Sequence, residues 1–204
     1  MTATLVVRWH NPGGCMSIDG SALKGPLGEL MDQCSGPNGE ARFEEFKRWL
    51  KRVGNLLQHL RDVALGPLGQ FVAAEKFTKD NTEVKFYEFG SNFKKLFSDL
   101  VEAPIAAATV SVSKLLKNSL DVPIRTELGD GHVITLGQFY EMLKVLPKDG
   151  TWFIAYIVGN DGNVWAVYAC WDSFRDGWRV YAYSVGFRGE WDAGGQVLSR
   201  KLAA

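Results

Sequence analysis

Three runs of β-branched and aromatic residues near the end of the chain, 152–158, 164–171 and 178–185, predict three β-strands. The segments between them, GNDGN at 159–163 and DSFRDG at 172–177, consist of residues that favour tight turns. Strands joined by short turns form an antiparallel meander. The stretch from Trp152 to Trp191, which contains this meander, holds twelve of the chain's 25 aromatic residues. We therefore expect the rest of the chain to be organised around it.

A long amphipathic helix is predicted over residues 41–65, because apolar residues recur there at three- and four-residue steps. Gly66 and Pro67 end this pattern. The polar face of the helix carries a local surplus of positive charge, which is typical of a solvated face and would also suit contacts with phosphates. His59 falls among leucines, so we expect a partly buried, structural histidine.

Shorter elements are predicted between this helix and the meander. Alternation of polar and apolar residues over 82–89 indicates a strand. Ser91 is interpreted as the N-cap of the helix that follows it. Residues 113–120 are interpreted as a further helix. These elements make the first 120 residues mainly helical in this interpretation.

The composition of the chain changes after residue 120, where we place a domain boundary. Thr135 and Gln138 have the spacing of a capping box, which predicts a helix that ends before Pro147 and leads into the meander. The predicted fold class is therefore α+β. It combines a mainly helical N-terminal region, residues 1–120, with a C-terminal antiparallel β-rich domain, residues 121–204.

The two faces of the predicted strands differ in what they carry. The faces that hold Trp165 and Trp171 in one strand, and Trp178 and Val180 in the next, are the better candidates for the core. We expect four tryptophans to fill this core: Trp152, Trp165, Trp178 and Trp191. The opposite face of the last strand carries Arg179, Tyr181 and Tyr183, and the following loop carries Phe187 and Arg188.

Tyrosine and arginine contribute strongly to binding interfaces, because they bury a large area and still form hydrogen bonds. The residues Arg179, Tyr181, Tyr183, Phe187 and Arg188 are therefore candidates for a ligand-binding surface. A place for these aromatic residues in a small β core is the alternative.

Charge and cysteine content narrow the functional classes. Lys plus Arg equals Asp plus Glu at 23 each, so no overall field attracts nucleic acid or anionic lipid. The three cysteines have no CxxC spacing, which favours a reducing compartment. The sequence has neither the pattern of a signal peptide nor a run of roughly 18 apolar residues. We expect a cytoplasmic protein without a membrane partner.

No motif for catalysis or metal binding is present in the sequence. His10, His59 and His132 are isolated from one another and from other ligands at a suitable spacing, so we predict no metal site. Cys170 is best explained as a buried, inert thiol. Residues 159–163 look like part of a calcium loop but lack its final glutamate, so we predict a hairpin turn. Without a phosphate-binding loop or a dinucleotide fingerprint, we also predict no cofactor.

The end of the chain resembles a group of bacterial proteins. Trp178 to Val180, then Trp191, then the run QVLSRK at 196–201, are similar to the C-terminal end of uncharacterised multi-copy proteins of candidate-phylum bacteria with small genomes. Those proteins resemble in turn the variable proteins of diversity-generating retroelements. The resemblance covers roughly residues 121–204.

This resemblance implies a C-type-lectin-like fold that displays varied side chains on strand faces and loops to bind diverse targets. A small β barrel would fit the meander equally well. In such systems, adenine-directed mutagenesis reaches only part of the amino-acid alphabet. The candidate positions here belong to the reachable set and are Tyr168, Cys170, Asp172, Phe174, Arg175, Arg179, Tyr181, Tyr183, Phe187, Arg188 and Asp192.

Three functions are open at this point. The first is a non-enzymatic binding protein whose C-terminal domain contacts a variable ligand, which we expect to be a protein or another macromolecule. The second is a nucleic-acid-associated protein that uses the basic face of the helix over 41–65 together with stacking on aromatic residues. The third is an enzyme whose site is assembled from residues that are distant in the sequence.

Overall fold

The computed structural model describes Ala41, residues 55–187 and residues 189–201. The strands in these ranges, in chain order, are β1 (Leu57–Leu65), β2 (Phe71–Val72), β3 (Phe86–Phe89), β4 (Val101–Glu102), β5 (Ala108–Leu115), β6 (Trp152–Val158), β7 (Val164–Asp172), β8 (Gly177–Ser184) and β9 (Gln196–Arg200). The α-helices are α1 (Ala73–Lys76), α2 (Ser91–Phe97), α3 (Asp121–Leu128) and α4 (Leu136–Val145). None of these helices has the length and apolar character needed to cross a membrane.

Seven of the strands form one open, mostly antiparallel sheet in the order β1-β5-β9-β6-β7-β8-β3. Only the β6–β9 and β3–β8 pairs are parallel. The strands β6, β7 and β8 pair antiparallel in sequence order, which confirms the predicted meander. The pairing of β5 with β9 brings residues from both sides of residue 120 into the same sheet. The fold is therefore mixed, with a large sheet and few helices.

The inner face of the sheet is the face that packs against α2 and α4. Trp171, Trp178 and Val180 are buried on this face, and Trp165 packs against it in a partly buried position. The alternation in β7 and β8 predicts this arrangement correctly. The helices close the core with Phe93, Leu96, Phe97, Leu136, Phe139, Met142 and Leu143. The outer face of the sheet is the opposite one, and it carries the residues considered below.

The N-terminus of α4 confirms the predicted capping box. The hydroxyl of Thr135 accepts a hydrogen bond from the backbone N–H of Gln138, and the Gln138 side chain accepts one from the backbone N–H of Thr135. Glu102 adds a second cap, because its carboxylate accepts from the N–H groups of Leu136 and Gly137 at 2.7 and 2.8 Å. The first-turn donors that lack helical partners are thus satisfied.

The long helix predicted over residues 41–65 is wrong in its second part. Ala41 is helical and residues 42–54 lie outside the described residues, but Leu57–Leu65 is the strand β1. Its register against β5 shifts between His59 and Arg61, so Leu60 is an extra bulge residue. The bulge places apolar residues three apart and imitates a helical stripe. The basic-helix alternative therefore loses Arg61 from its proposed surface, whereas the other basic residues of that face precede residue 55 and lie outside the described residues.

The exposure of His59 also differs from the prediction of a partly buried histidine. The histidine is exposed on β1, with its Nε2 3.5 Å from Oδ1 of Asp62. Exposure follows from the change of element, because a residue between two leucines of a helix would be partly covered, whereas an edge strand leaves it to solvent.

Two further predictions upstream of the meander need correction. The helix predicted over 113–120 is replaced by the strand β5, which ends at Leu115. Alternating Val and Ser residues favour a strand there, and β5 is paired on both sides. Ser91 is the first residue of α2, and Gly90 is the cap. Over residues 55–120 the structure does not confirm a mainly helical region.

Candidate ligand-binding site

The outer face of β6, β7 and β8 is dominated by aromatic side chains. In the register of these strands, Tyr168 of β7 lies opposite Ile154 of β6 and Tyr181 of β8. Tyr168 is buried, whereas Tyr181 and its neighbour Tyr183 are half-buried. The helix α3 and the start of the described chain cover the other end of this face with apolar residues such as Ile124. Tyr181 and Tyr183 therefore lie on the part of the outer face that these apolar residues leave uncovered.

Tyr168 is the centre of a stack of parallel rings. Its ring centroid lies 5.1 Å from that of Trp152 and 5.3 Å from that of Tyr181, with interplanar angles of 7° and 9°. Tyr183 stacks on it at 5.5 Å, and Phe187 stacks on Tyr183 at 5.2 Å. We call these five rings the aromatic ladder. Stacked aromatic pairs add to the stability gained from burial, so the ladder is a stable part of the sheet surface.

Two of the outermost rings of the ladder are open to solvent. Trp152 is 45% exposed and Phe187 is 57% exposed. The prediction that all four tryptophans fill the core is therefore wrong for Trp152. In β6 the residues Trp152 and Ile154 share the outer face, so a comparison of the two faces of β6 would have found this position. Trp191 is buried, as predicted.

Trp191 is held in place by several contacts. Its ring meets Tyr168 edge-on, with centroids 5.4 Å apart. Its Nε1 donates a hydrogen bond to Oδ1 of Asp121 at 2.7 Å, and the hydroxyl of Tyr156 donates to the same oxygen at 2.9 Å. Backbone hydrogen bonds in both directions join Trp191 to Ser119. The loop between β8 and β9 is thus anchored at its midpoint.

A pocket of about 410 Å³ lies between this loop and the aromatic ladder. Its apolar walls are Trp152, Ile154, Tyr183, Phe187 and Trp191. Glu190, Asp192 and Thr151 supply polar side chains to the lining. The loop takes this course because β8 ends beside the 159–163 turn, whereas β9 starts next to the beginning of β6, so the connection must cross the outer face.

Glu190 and Asp192 flank the anchored tryptophan in the sequence, and both are exposed. Residue 191 has the extended backbone of a β-bridge, in which successive side chains point in opposite directions. Trp191 turns inward, and its two acidic neighbours remain at the rim of the pocket. Among the described residues that line the pocket, these two are the only charged ones. Both charges that the described residues place at the rim are therefore negative.

The hydroxyls of Tyr168 and Tyr181 remain neutral over the physiological range of pH. Burial raises the pKa of Tyr181 to about 12, and a hydrogen bond with Glu88 contributes to the rise. Burial also raises the pKa of Tyr168, with a further contribution from its hydrogen bond with Tyr183. Neutral hydroxyls can both donate and accept hydrogen bonds, so the ladder combines apolar area with polar groups.

A second group of sequence-predicted residues lies at the β7–β8 hairpin. Phe174 at its tip is 89% exposed. The guanidinium carbon of Arg175 lies 5.2 Å from the ring centroid of Tyr87. Asp172 has a structural role, because its Oδ1 accepts hydrogen bonds from the backbone N–H groups of Phe174 and Arg175. Nε of Arg179 lies 3.8 Å from Oδ2 of Asp172.

The structure thus divides the predicted site residues into two groups. Tyr168, Tyr181, Tyr183, Phe187 and Asp192 belong to the ladder and the pocket, whereas Asp172, Phe174, Arg175 and Arg179 belong to the hairpin. Arg188 lies outside the described residues. The sequence prediction did not include Trp152 and Glu190 among the site residues. No signal in the strand pattern points to Glu190, because its place depends on the course of a loop.

The residues that the sequence offers as candidates for catalysis or metal binding have structural roles in the fold. Cys170 is buried, and burial raises the pKa of its thiol, which donates to the carbonyl oxygen of Gly150 at 3.2 Å. Residues 159–163 form the predicted hairpin turn, with the N–H of Gly159 bonded to the carbonyl oxygen of Asn163. In the described ranges, no three His, Cys, Asp or Glu residues are grouped in a way that could hold a metal ion.

Comparison of the chain with protein-family models, with curated proteins and with solved structures finds no match.

Proposed function

We propose that this protein is a non-enzymatic binding protein that presents the aromatic ladder and the adjoining pocket to a protein ligand. The observation that carries this proposal is a connected group of five stacked rings, of which Trp152 and Phe187 are open to solvent beside a pocket of about 410 Å³. Exposed aromatic side chains that line a pocket are typical of interaction sites on proteins. Tyrosine and tryptophan are the residues most enriched at the centre of such sites.

The packing of the ladder supports a binding function in a second way. Tyr168 is fixed by Trp152, Tyr181 and Trp191, and Trp191 is fixed by Asp121. Rings that are already ordered lose little conformational freedom when a ligand binds. A ladder of this kind would therefore contribute more of its buried area to affinity than a set of mobile side chains.

We also propose a relationship to the variable proteins of diversity-generating retroelements, and with it a C-type-lectin-like fold for the C-terminal part. In support, the described residues among the positions named from this resemblance occupy the outer face of β7 and β8 and the loops that follow these strands. Genomic context tests the relationship. A reverse transcriptase gene and a near-copy of the 3′ coding segment should be found nearby, and their absence would count against it.

Substitution of Phe187 tests the binding function. Peptides selected from a random library on the immobilised protein should bind Phe187→Ala at least about tenfold more weakly, which corresponds to about 1.4 kcal/mol. The physical reason is the loss of an exposed ring that belongs both to the ladder and to the wall of the pocket. The measurement is the dissociation constant of each selected peptide by fluorescence anisotropy. Val145→Ala is the matched control, since Val145 is 51% exposed on α4 and lies away from the ladder.

Phe174→Ala distinguishes the two groups of predicted residues. The proposal expects it to leave peptide affinity unchanged, because Phe174 lies at the hairpin tip. If Phe174→Ala weakens binding and Phe187→Ala does not, the hairpin is the binding site and the ladder is only a structural feature. If neither substitution changes affinity, the proposed surface is wrong.

A further inference from the structure

The composition of the pocket restricts what it can bind. Four aromatic rings, those of Trp152, Tyr183, Phe187 and Trp191, line it, and the charged groups among its described lining residues are the carboxylates of Glu190 and Asp192. The faces of aromatic rings carry partial negative charge and attract cations. The exposed rings of Trp152 and Phe187, each of which stacks on one ring of the ladder, and the two carboxylates therefore all favour a cationic ligand.

We propose that this pocket binds a weakly hydrated organic cation, a methylated ammonium or a guanidinium group, carried by the protein ligand. The inference rests on the proposed binding function and names the chemical group that the pocket would take. Such a cation loses little hydration when it enters an apolar pocket. An inorganic or primary ammonium ion is more strongly hydrated and would require more oxygen ligands than the rim offers.

The placement of the carboxylates supports the same ligand. Glu190 and Asp192 are exposed at the rim, where they remain hydrated before binding and can approach a cation that projects from the pocket. Asp192 is held near Asn118, whose Nδ2 lies 3.4 Å from its Oδ1, while Oδ1 of Asn118 accepts a hydrogen bond from the N–H of Ala193. The negative rim is thus part of the anchored loop.

The pocket also suits the size of the proposed group. A volume of about 410 Å³ is within the range of small-ligand sites and exceeds the needs of one trimethylammonium or guanidinium group. The remaining volume would take the alkyl chain of a lysine or an arginine. Anions are disfavoured at the same place because both rim carboxylates would repel them.

A pair of probes with equal shape and different charge tests the proposal on the full chain. Choline and its uncharged isostere 3,3-dimethylbutan-1-ol differ in the charge of the quaternary centre, and methylguanidinium represents the planar cation. We expect choline or methylguanidinium to shift the indole N–H signals of Trp152 and Trp191 in NMR titrations. We expect the uncharged isostere to bind at least about tenfold more weakly. The cation that binds more tightly identifies the group on the natural ligand.

Charge removal at the rim provides the second measurement. The double substitution Glu190→Gln and Asp192→Asn should weaken binding of the cation several-fold and leave the weak binding of the isostere unchanged. Glu141→Gln is the matched control, because Glu141 pairs with Lys144 on α4 and does not line the pocket. Far-ultraviolet circular dichroism of each variant establishes that it is folded.

The outcomes separate this inference from the proposed function. Equal affinity for choline and for its isostere would overturn the inference, and so would the absence of any shift at Trp152 and Trp191. If selected peptides still depend on Phe187 in that case, the binding function stands without a cationic ligand. If a cation binds but no peptide depends on Phe187, the pocket is a cation site and the proposed protein-binding surface is wrong.

Discussion

At the scale of single residues, Asp121 connects the start of α3 to the candidate site. Its side chain is buried at the start of α3, and its Oδ1 accepts hydrogen bonds from Trp191 and Tyr156. Burial raises the pKa of its carboxyl group, although the two hydrogen bonds and the nearby Arg125 act in the opposite direction. Burial of this carboxyl group therefore has an energetic cost, and the hydrogen bond that it accepts from Trp191 positions the indole at the pocket.

The pH dependence of stability tests this description of Asp121. A raised pKa means that the folded protein binds the proton more tightly than the unfolded chain, in which the pKa is about 3.9. The contribution of Asp121 to stability is thus fully present below that value and is lost as the pH rises through the raised pKa. We expect the free energy of unfolding of the wild type, relative to Asp121→Asn, to increase as the pH falls from 7 towards about 4.

Urea unfolding at a series of pH values measures this difference. Asp176→Asn provides a control of opposite sign, since a hydrogen bond from Lys85 lowers the pKa of the exposed Asp176. Its contribution should be present above the unfolded-state pKa and be lost as the pH falls. A difference between wild type and Asp121→Asn that does not change with pH would contradict the raised pKa.

Single residues also show where sequence reasoning succeeds and fails at the site. Tyr181 and Tyr183 could be placed on the outward face because strict alternation in β8 assigns each residue to one face. The usual burial of a tryptophan in a strand predicts a core position for Trp152, whereas alternation in β6 places it on the outer face together with Ile154. Glu190 depends on how the β8–β9 loop crosses the sheet, and alternation within the strands gives no information about that path.

At the scale of secondary-structure elements, the bulge in β1 determines which of its side chains pack on the inner face of the sheet and which pack on the outer face. Leu57 packs with the outer-face cluster, whereas Val63 and Leu65 pack against the inner-face core. In a regular strand, positions 57, 63 and 65 would share one face. Leu60 is the extra residue that changes the alternation. The meander and the capped helix α4 follow regular periods and could be predicted, whereas an irregular strand imitates a different element.

Deletion of Leu60 tests the role of the bulge. Without this residue, either Leu57 or the pair Val63 and Leu65 must turn to the wrong face of the sheet. We expect a loss of at least about 2 kcal/mol in the free energy of unfolding, which is the cost of exposing one buried leucine. Chemical denaturation measures this loss.

Leu60→Ala is the matched control for the deletion. Leu60 is 43% exposed, so the loss of its side chain should change stability by no more than about 0.5 kcal/mol. If the deletion is as well tolerated as the alanine substitution, the shift in register has no influence on packing, and the explanation for the wrongly predicted helix is incorrect.

At the scale of the whole molecule, the meander depends on strands that precede it by many residues. The strand β5 pairs with β9, and β3 pairs with β8, so segments before residue 120 border both sides of the C-terminal strands. The inner-face core includes Phe86, Phe93 and Val112 from the same part of the chain. Sequence periodicity identifies strands one at a time, but it gives no information about which distant strands pair. The predicted boundary at residue 120 follows a change in composition, whereas strand pairing and core packing extend across that boundary.

This arrangement leads to a prediction about fragments. We expect a fragment of residues 121–204 to remain unfolded, because it lacks the edge partners of β8 and β9 and exposes the inner face of the meander. A fragment of residues 55–204 contains every strand of the seven-stranded sheet and should fold. Amide dispersion in two-dimensional NMR spectra and cooperative thermal unfolding distinguish the two states. If residues 121–204 give a dispersed spectrum and bind the same peptides as the full chain, the aromatic ladder belongs to an autonomous C-terminal domain, and the strands β3 and β5 only extend its sheet.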